Sequence, residues 1–178
     1  MKSICVFCSV NDVDQIYVDK AREFATLMVA HGYSLVWGGT NKGIMKVMAD
    51  TVQAAGGKIF GITMELLKSA ARKNADEMIV AKDLATRKSL FLKRSDALVL
   101  LVGGIGSLDE VTEMLEYKKH HVHNKPIVVL NTNGFYGDLE KQFARMKSEG
   151  FITQNLDDLI RFAKTPKEVI SIIDSALA

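Results

Sequence analysis

The sequence predicts an α/β fold with a Rossmann-like, mostly parallel sheet and helices on both faces. Three observations predict it. Apolar runs alternate with helical patterns along almost the whole chain, the signature of successive strand–helix units. The run "ALVLLV" at 97–102 is apolar without alternation, as in a strand covered on both faces. Two glycine clusters, Gly38–Gly39 and Gly103–Gly104–Gly106, fall at the carboxyl ends of predicted strands, where ligands bind in such sheets.

The elements follow in order. "SICVFCSV" (3–10) reads as a strand. Residues 13–31 carry a helical stripe at Val18, Ala21, Phe24, Ala25 and Met28, stopped by "HGY". "SLVWGG" is a second strand, "GIMKVMADTVQAAGG" a helix with a glycine stop, and "KIFGIT" a third strand. Residues 65–76 read equally as short helix or loop. "EMIVA" is a fourth strand and "DLATRKSLFLKRS" a helix. "ALVLLVGG" is the fifth strand, "SLDEVTEMLEYKKHH" a helix, and "KPIVVLN" the sixth strand. A helix near 137–149 and a short apolar segment, "LIRFA", come next. The last helix has Thr165 as N-cap and Pro166 at its first position.

Composition narrows the class. The chain has 178 residues, enough for one domain with a full core, and no repeat or linker divides it, so 1–178 is expected to be a single domain. A net charge of +2 does not point to nucleic acid. No apolar run has membrane-spanning length. The N-terminus enters a core strand without a signal-peptide pattern, so a cytoplasmic location is expected. Cys5 and Cys8 have C-x-x-C spacing, but an odd offset within a strand puts them on opposite faces. They read as core residues, not a disulfide.

A glycine turn before a helix exposes backbone N–H groups, and the helix dipole adds positive charge there, so an anion is favoured. One such turn is ordinary; two at one sheet edge indicate a site. The dinucleotide fingerprint fails, because Asp109 stands where its last glycine belongs. A P-loop fails too, because Ile44 and Met45 replace its Lys and Ser/Thr. Ser107 at the helix start places Glu110 in the first turn, with Glu113 three residues on along the same face. Asp109 points elsewhere, toward solvent. Arg87 and Lys88 lie on the preceding helix, a surface face from which they can reach a phosphate or carboxylate. His120 and His123 share a helical face but lack a third ligand, so no metal site is expected.

Together the stretches "WGGTNKGIM", "RKSLF" followed by "SDALVLLVGGIGSLDEVTE", and "NKPIVVLN" resemble the LOG (Lonely Guy) phosphoribohydrolases, in order over nearly the whole chain. The resemblance implies a nucleotide-binding domain that cleaves the N-glycosidic bond of a nucleoside 5′-monophosphate, a cytokinin riboside 5′-monophosphate or AMP. The products would be free base and ribose 5-phosphate. It implies no cofactor and a homodimer. By position it makes Arg87 and Glu110 catalytic. It assigns the phosphate to Gly103, Gly104, Gly106 and Ser107, and supporting contacts to Gly38, Gly39, Lys88 and Glu113. Relatives have been labelled lysine decarboxylases, but no pyridoxal-phosphate site is legible in this sequence. Departures from the family pattern are Val102 for Pro, Ser107 for Thr, Thr40 and Lys46 for Gly, Leu84–Ala85 for Met-His, and Glu116–Tyr117 for Thr-Trp. The expected chemistry passes through a ribosyl cation, with Glu110 stabilising it or acting as base or nucleophile, directly or through a covalent intermediate, and Arg87 orienting the substrate and holding Glu110 ionised. The alternative is a non-catalytic carrier of a nucleotide or another phosphorylated cofactor on the same fold.

Overall fold

The computed structural model describes residues 1–178. In chain order it contains β1 (Ser3–Phe7), α1 (Gln15–Ala30), β2 (Ser34–Trp37), α2 (Gly43–Ala54) and β3 (Ile59–Met64). A 3₁₀ turn (Glu65–Ala70), β4 (Glu77–Ala81), α3 (Leu84–Lys93), β5 (Ala97–Leu100) and α4 (Ile105–Lys119) follow. The chain ends with β6 (Ile127–Leu130), α5 (Gly137–Ser148), α6 (Leu156–Leu159), β7 (Arg161–Ala163) and α7 (Pro166–Leu177). All seven strands form one sheet in the order β4-β3-β2-β1-β5-β6-β7. Every pair is parallel.

Parallel strands need crossover helices, and these cover both faces. On one face α1, α2 and α7 bury Phe24, Met28, Ile44, Met48 and Ile170 against Ile4, Leu35 and Val128. On the other, α3, α4 and α5 bury Phe91, Met114 and Phe143 against Phe7, Leu98 and Val129. Cys5 and Cys8 belong to opposite faces and both are free. The Thr165 hydroxyl accepts from the Glu168 N–H, with Pro166 in the first turn of α7, as the sequence suggests.

Three sequence expectations are corrected. The segment "LIRFA" contains a seventh strand, β7, at the sheet edge beside β6. Three residues are too few to show a period. The helix after the glycine turn begins at Ile105, with Gly104 as its N-cap. Glu110 therefore lies in its second turn, because the low helical propensity of glycine concealed the first. His120 caps α4 and pairs with Glu116, whereas His123 lies beyond the helix and donates from Nε2 to the Met114 carbonyl. The two do not share a helical face, and no metal-binding group of His, Cys, Asp or Glu exists. No helix is long and apolar enough to cross a membrane.

The topology positions the site. From β1 the chain builds outward through β2 and β3 to β4, then returns through α3 to β5 on the other side of β1. The carboxyl ends of β1 and β5 thus diverge into a crevice. Gly43 closes the loops around it. Its φ is +53°, and a Cβ there would stand 2.5 Å from the Asn11 carbonyl oxygen, so only glycine fits.

Candidate active site

The site begins with the start of α3. Asp83 caps that helix by accepting from the Thr86 N–H at 2.7 Å. The cap sets the helix phase, and Arg87 and Phe91, one turn apart, become its buried face. Arg87 is 6% exposed, not on the surface as the sequence suggested. Its Nε donates to the Ile62 carbonyl at 2.9 Å and its Nη2 to the Gly38 carbonyl at 3.3 Å. Nη1 donates to Glu110 Oε1 at 2.8 Å. The guanidinium also lies over the Phe91 ring, 4.7 Å from its centroid. One side chain therefore ties the ends of β2 and β3 to α4.

Glu110 is 7% exposed. Burial raises its carboxyl above the ordinary glutamate value. Arg87 pulls the other way, as expected, but burial outweighs it. Its charged form therefore carries an energetic cost, which one guanidinium offsets in part.

A second ion group stands beside this pair. Lys88 contacts Glu113 and reaches Asp109 at 3.3 Å, and Tyr117 donates to Glu113 at 2.9 Å. Asp109 is thus half-exposed and paired, not merely solvated. The hydrogen bond to Glu113, then that to Asp109, lift the Lys88 ammonium above its usual range against the pull of burial.

The crevice above the Arg87–Glu110 pair has a volume of about 510 Å³. Of the residues singled out from the sequence, Arg87, Gly104, Gly106, Ser107 and Glu110 line it. Gly38 reaches it only through Arg87, and a Cβ there would stand 2.5 Å from Nη2. Gly39 packs against Met78. Gly103 gives its N–H to the Tyr136 hydroxyl at 3.0 Å, which removes it as a ligand donor. Lys88 and Glu113 stand outside the lining. The sequence reading missed Cys8, Ser9, Val10 and Asn11 after β1, and Lys42 and Met45 after β2. The strand-end rule applied to β1 would have found the first group.

Gly104 and Gly106 have no fold-based explanation. A Cβ at either would meet nothing within 4 Å, and neither has a positive φ. Alanine would also favour the helix at Gly106. The open space lies at the start of α4, where the N–H groups of Ile105, Gly106 and Ser107 have no acceptor one turn back. The Ser107 hydroxyl, 6% exposed, makes no hydrogen bond within the protein and lines the same space.

A family model described as "Possible lysine decarboxylase" matches residues 45–173. Cytokinin riboside 5′-monophosphate phosphoribohydrolase LOG1 of Arabidopsis thaliana is 30% identical over 176 residues, covering 97% of this chain and 83% of that protein. The chain belongs to the LOG family. A second relative, probable cytokinin riboside 5′-monophosphate phosphoribohydrolase LOGL2 of Oryza sativa subsp. japonica, is 31% identical over 97% of this chain and 72% of its own length. Solved structures extend the likeness of fold. The molybdenum cofactor binding protein from Rippkaea orientalis superposes with a TM-score of 0.77 at 21% identity, covering 99% of this chain and 98% of that one. The molybdenum cofactor carrier protein from Chlamydomonas reinhardtii gives 0.77 at 24% identity, with the same coverage.

The LOG-family fold thus holds a buried ion pair whose loss has a definite signature. Arg87→Ala strands the Glu110 carboxylate and should cost roughly 3–5 kcal/mol of stability. The deficit should be largest near pH 8. A carboxyl with a raised folded-state pKa contributes stability only while protonated, so the deficit should shrink as pH falls toward 5. Urea unfolding at both pH values measures this. A loss below about 1 kcal/mol at either pH would describe a surface arginine instead.

Proposed function

We propose that this chain is a nucleoside 5′-monophosphate phosphoribohydrolase acting on AMP or a cytokinin riboside 5′-monophosphate. The observation that carries the reading is a buried carboxylate–guanidinium pair directly beside a glycine turn that the fold itself does not require. The turn at Gly104–Ser107 suits a phosphate, through the free N–H groups of α4 and the unpartnered Ser107 hydroxyl. Anchoring there spends phosphate binding energy on placing the ribose.

In the reaction the C1′–N bond breaks and its electron pair leaves with the base. A water oxygen bonds to C1′, and a proton from that water ends on the departing nitrogen. The ribose passes through an oxocarbenium-like state, which a carboxylate opposite C1′ stabilises. Glu110 supplies that charge in a dry setting, where Coulombic attraction is strong. Arg87 fixes the carboxylate's position and favours its charged form against the pull of burial. No metal or cofactor is needed to balance the step.

A carrier is the second reading. Anion carriers need donors, and a buried carboxylate beside a phosphate works against them. The Arg87–Glu110 pair therefore favours catalysis. The decarboxylase description is set aside because that chemistry uses a lysine Schiff base. The centre of the crevice holds a guanidinium and a carboxylate, and Lys42 is exposed. We further propose one nucleotide-binding domain working as a cytoplasmic homodimer. Exposed Leu84 and Ile105, at the starts of α3 and α4, offer apolar surface to a second copy.

AMP should release adenine, and adenosine should do so barely, because the phosphate anchor supplies the positioning. Chromatographic assay of adenine settles it; equal turnover of the two would remove the phosphate from the account. Glu110→Gln keeps the shape and removes the charge. Its rate should fall roughly 10²–10⁴-fold, the scale of a positioned acid–base group, while AMP still binds. The wild-type rate should fall with acid along a limb lying above pH 4.5, because burial raises the Glu110 carboxyl and only its ionised form is active. A Gln variant that releases adenine at wild-type rate would reduce Glu110 to a structural acid. Tight AMP binding without adenine release by either protein would favour the carrier.

A further inference from the structure

The nucleotide reading uses only one side of the crevice. The phosphate corner belongs to the β5–α4 turn. On the other side of β1, after β2, stands a second polar corner made by Thr40 and Lys42. Thr40 is 7% exposed and its hydroxyl makes no hydrogen bond within the protein, although it lines the crevice. The residue is largely buried while its hydroxyl stays accessible from the crevice and unclaimed by the protein, so it is free to bond a ligand there. Lys42 is exposed and makes no ion pair. The cations on either side of it are engaged within the protein: Lys46 and Arg72 share Asp50, and Arg72 also donates to Gln53 and Asn41. Lys42 has no partner within the protein, and it lines the crevice.

The two corners are too far apart for one phosphate. β2 and β5 flank β1, so their ends lie two strand spacings apart, or about 10 Å. Arg87 and Glu110 lie between them, since Arg87 bonds both the Gly38 carbonyl after β2 and Glu110 on α4. A nucleotide with its phosphate on α4 and its C1′ near Glu110 would direct its remaining groups toward Thr40 and Lys42.

We infer that Thr40 and Lys42 form a second anion subsite, and that the preferred ligand carries, besides its 5′-phosphate, another anionic group on the far side of the ribose. This rests on the nucleotide reading above and deepens it. Two sources have this chemistry: a phosphate on the 2′- or 3′-hydroxyl, or a carboxylate on the leaving base. A 5′-diphosphate does not, because its extra charge lies on the α4 side.

Calorimetry on the full-length Glu110→Gln protein, where turnover is slow, tests the inference. The probes are AMP, ADP, adenosine 3′,5′-bisphosphate, adenosine 2′,5′-bisphosphate and AMP bearing a dicarboxyethyl group on N6. At least one of the last three should bind about tenfold tighter than AMP, the scale of one charge-assisted hydrogen bond, while ADP gains nothing. Which of them gains identifies the source of the second anion. Adding Lys42→Met should bring the preference ratio close to one. Adding Thr40→Val, which removes the hydroxyl at constant shape, should reduce it. Tight AMP binding with no gain for any far-side anion overturns the inference and leaves the hydrolase reading intact, as does a Lys42→Met variant that weakens all five probes equally. Failure to bind any nucleotide, with no base release by wild type, overturns both.

Discussion

Arg87 and Glu110 meet at 2.8 Å with both side chains almost fully buried, and the architecture around the crevice is arranged to make that tolerable. Each charge has left water, a cost of several kcal/mol per ion that the mutual attraction offsets only with good geometry and further hydrogen bonds. The guanidinium obtains them from the carbonyls of Ile62 and Gly38. Those carbonyls belong to the end of β3 and the residue after β2, so the pair also fixes how three elements converge. Gly38 is glycine because the guanidinium occupies the space of its side chain. Replacing the pair with apolar residues of equal size would serve stability at least as well. Its presence at a strand-end crevice is therefore better explained by chemistry than by folding.

The glycine turn supplies the complementary half. The fold explains Gly103, where a Cβ would stand 2.3 Å from the Ser107 hydroxyl oxygen. It does not explain Gly104 and Gly106, which face empty space. Both line the same crevice as the Glu110 carboxylate. One element, α4, therefore presents anion donors at its first turn and a negative charge at its second. That separation suits a ligand with a negative end and a centre that becomes positive in the transition state, as ribose 5-phosphate does at C1′.

Much of this was legible in the sequence. The alternation of apolar runs and helical stripes is a local signal, and six of the seven strands carry it clearly. β7 does not, because three residues at an edge have no measurable period. The start of α4 was misplaced by two residues because Ile105 and Gly106 look like turn, and their helical state depends on the tertiary setting. Burial of Arg87 was hidden for a related reason. Lys88, Lys93 and Arg94 nearby describe a solvated helix face, and only the Asp83 cap and the four-residue spacing of Arg87 and Phe91 assign Arg87 to the core. The crevice wall from β1, Cys8 to Asn11, carries no residue type that announces a site. Only its position after the first strand marks it, because ligands gather at the carboxyl ends of such strands and the topology reverses at β1.

The account stands on positive charge developing at C1′ beside Glu110. The secondary isotope effect of tritium at C1′ on base release from AMP reports that change most directly, because the carbon flattens as the oxocarbenium forms. The account predicts a normal effect, with labelled AMP cleaved more slowly and adenine and ribose 5-phosphate formed in equal amounts. No discrimination against the label when bond cleavage limits the rate, or no base release at all, would contradict it.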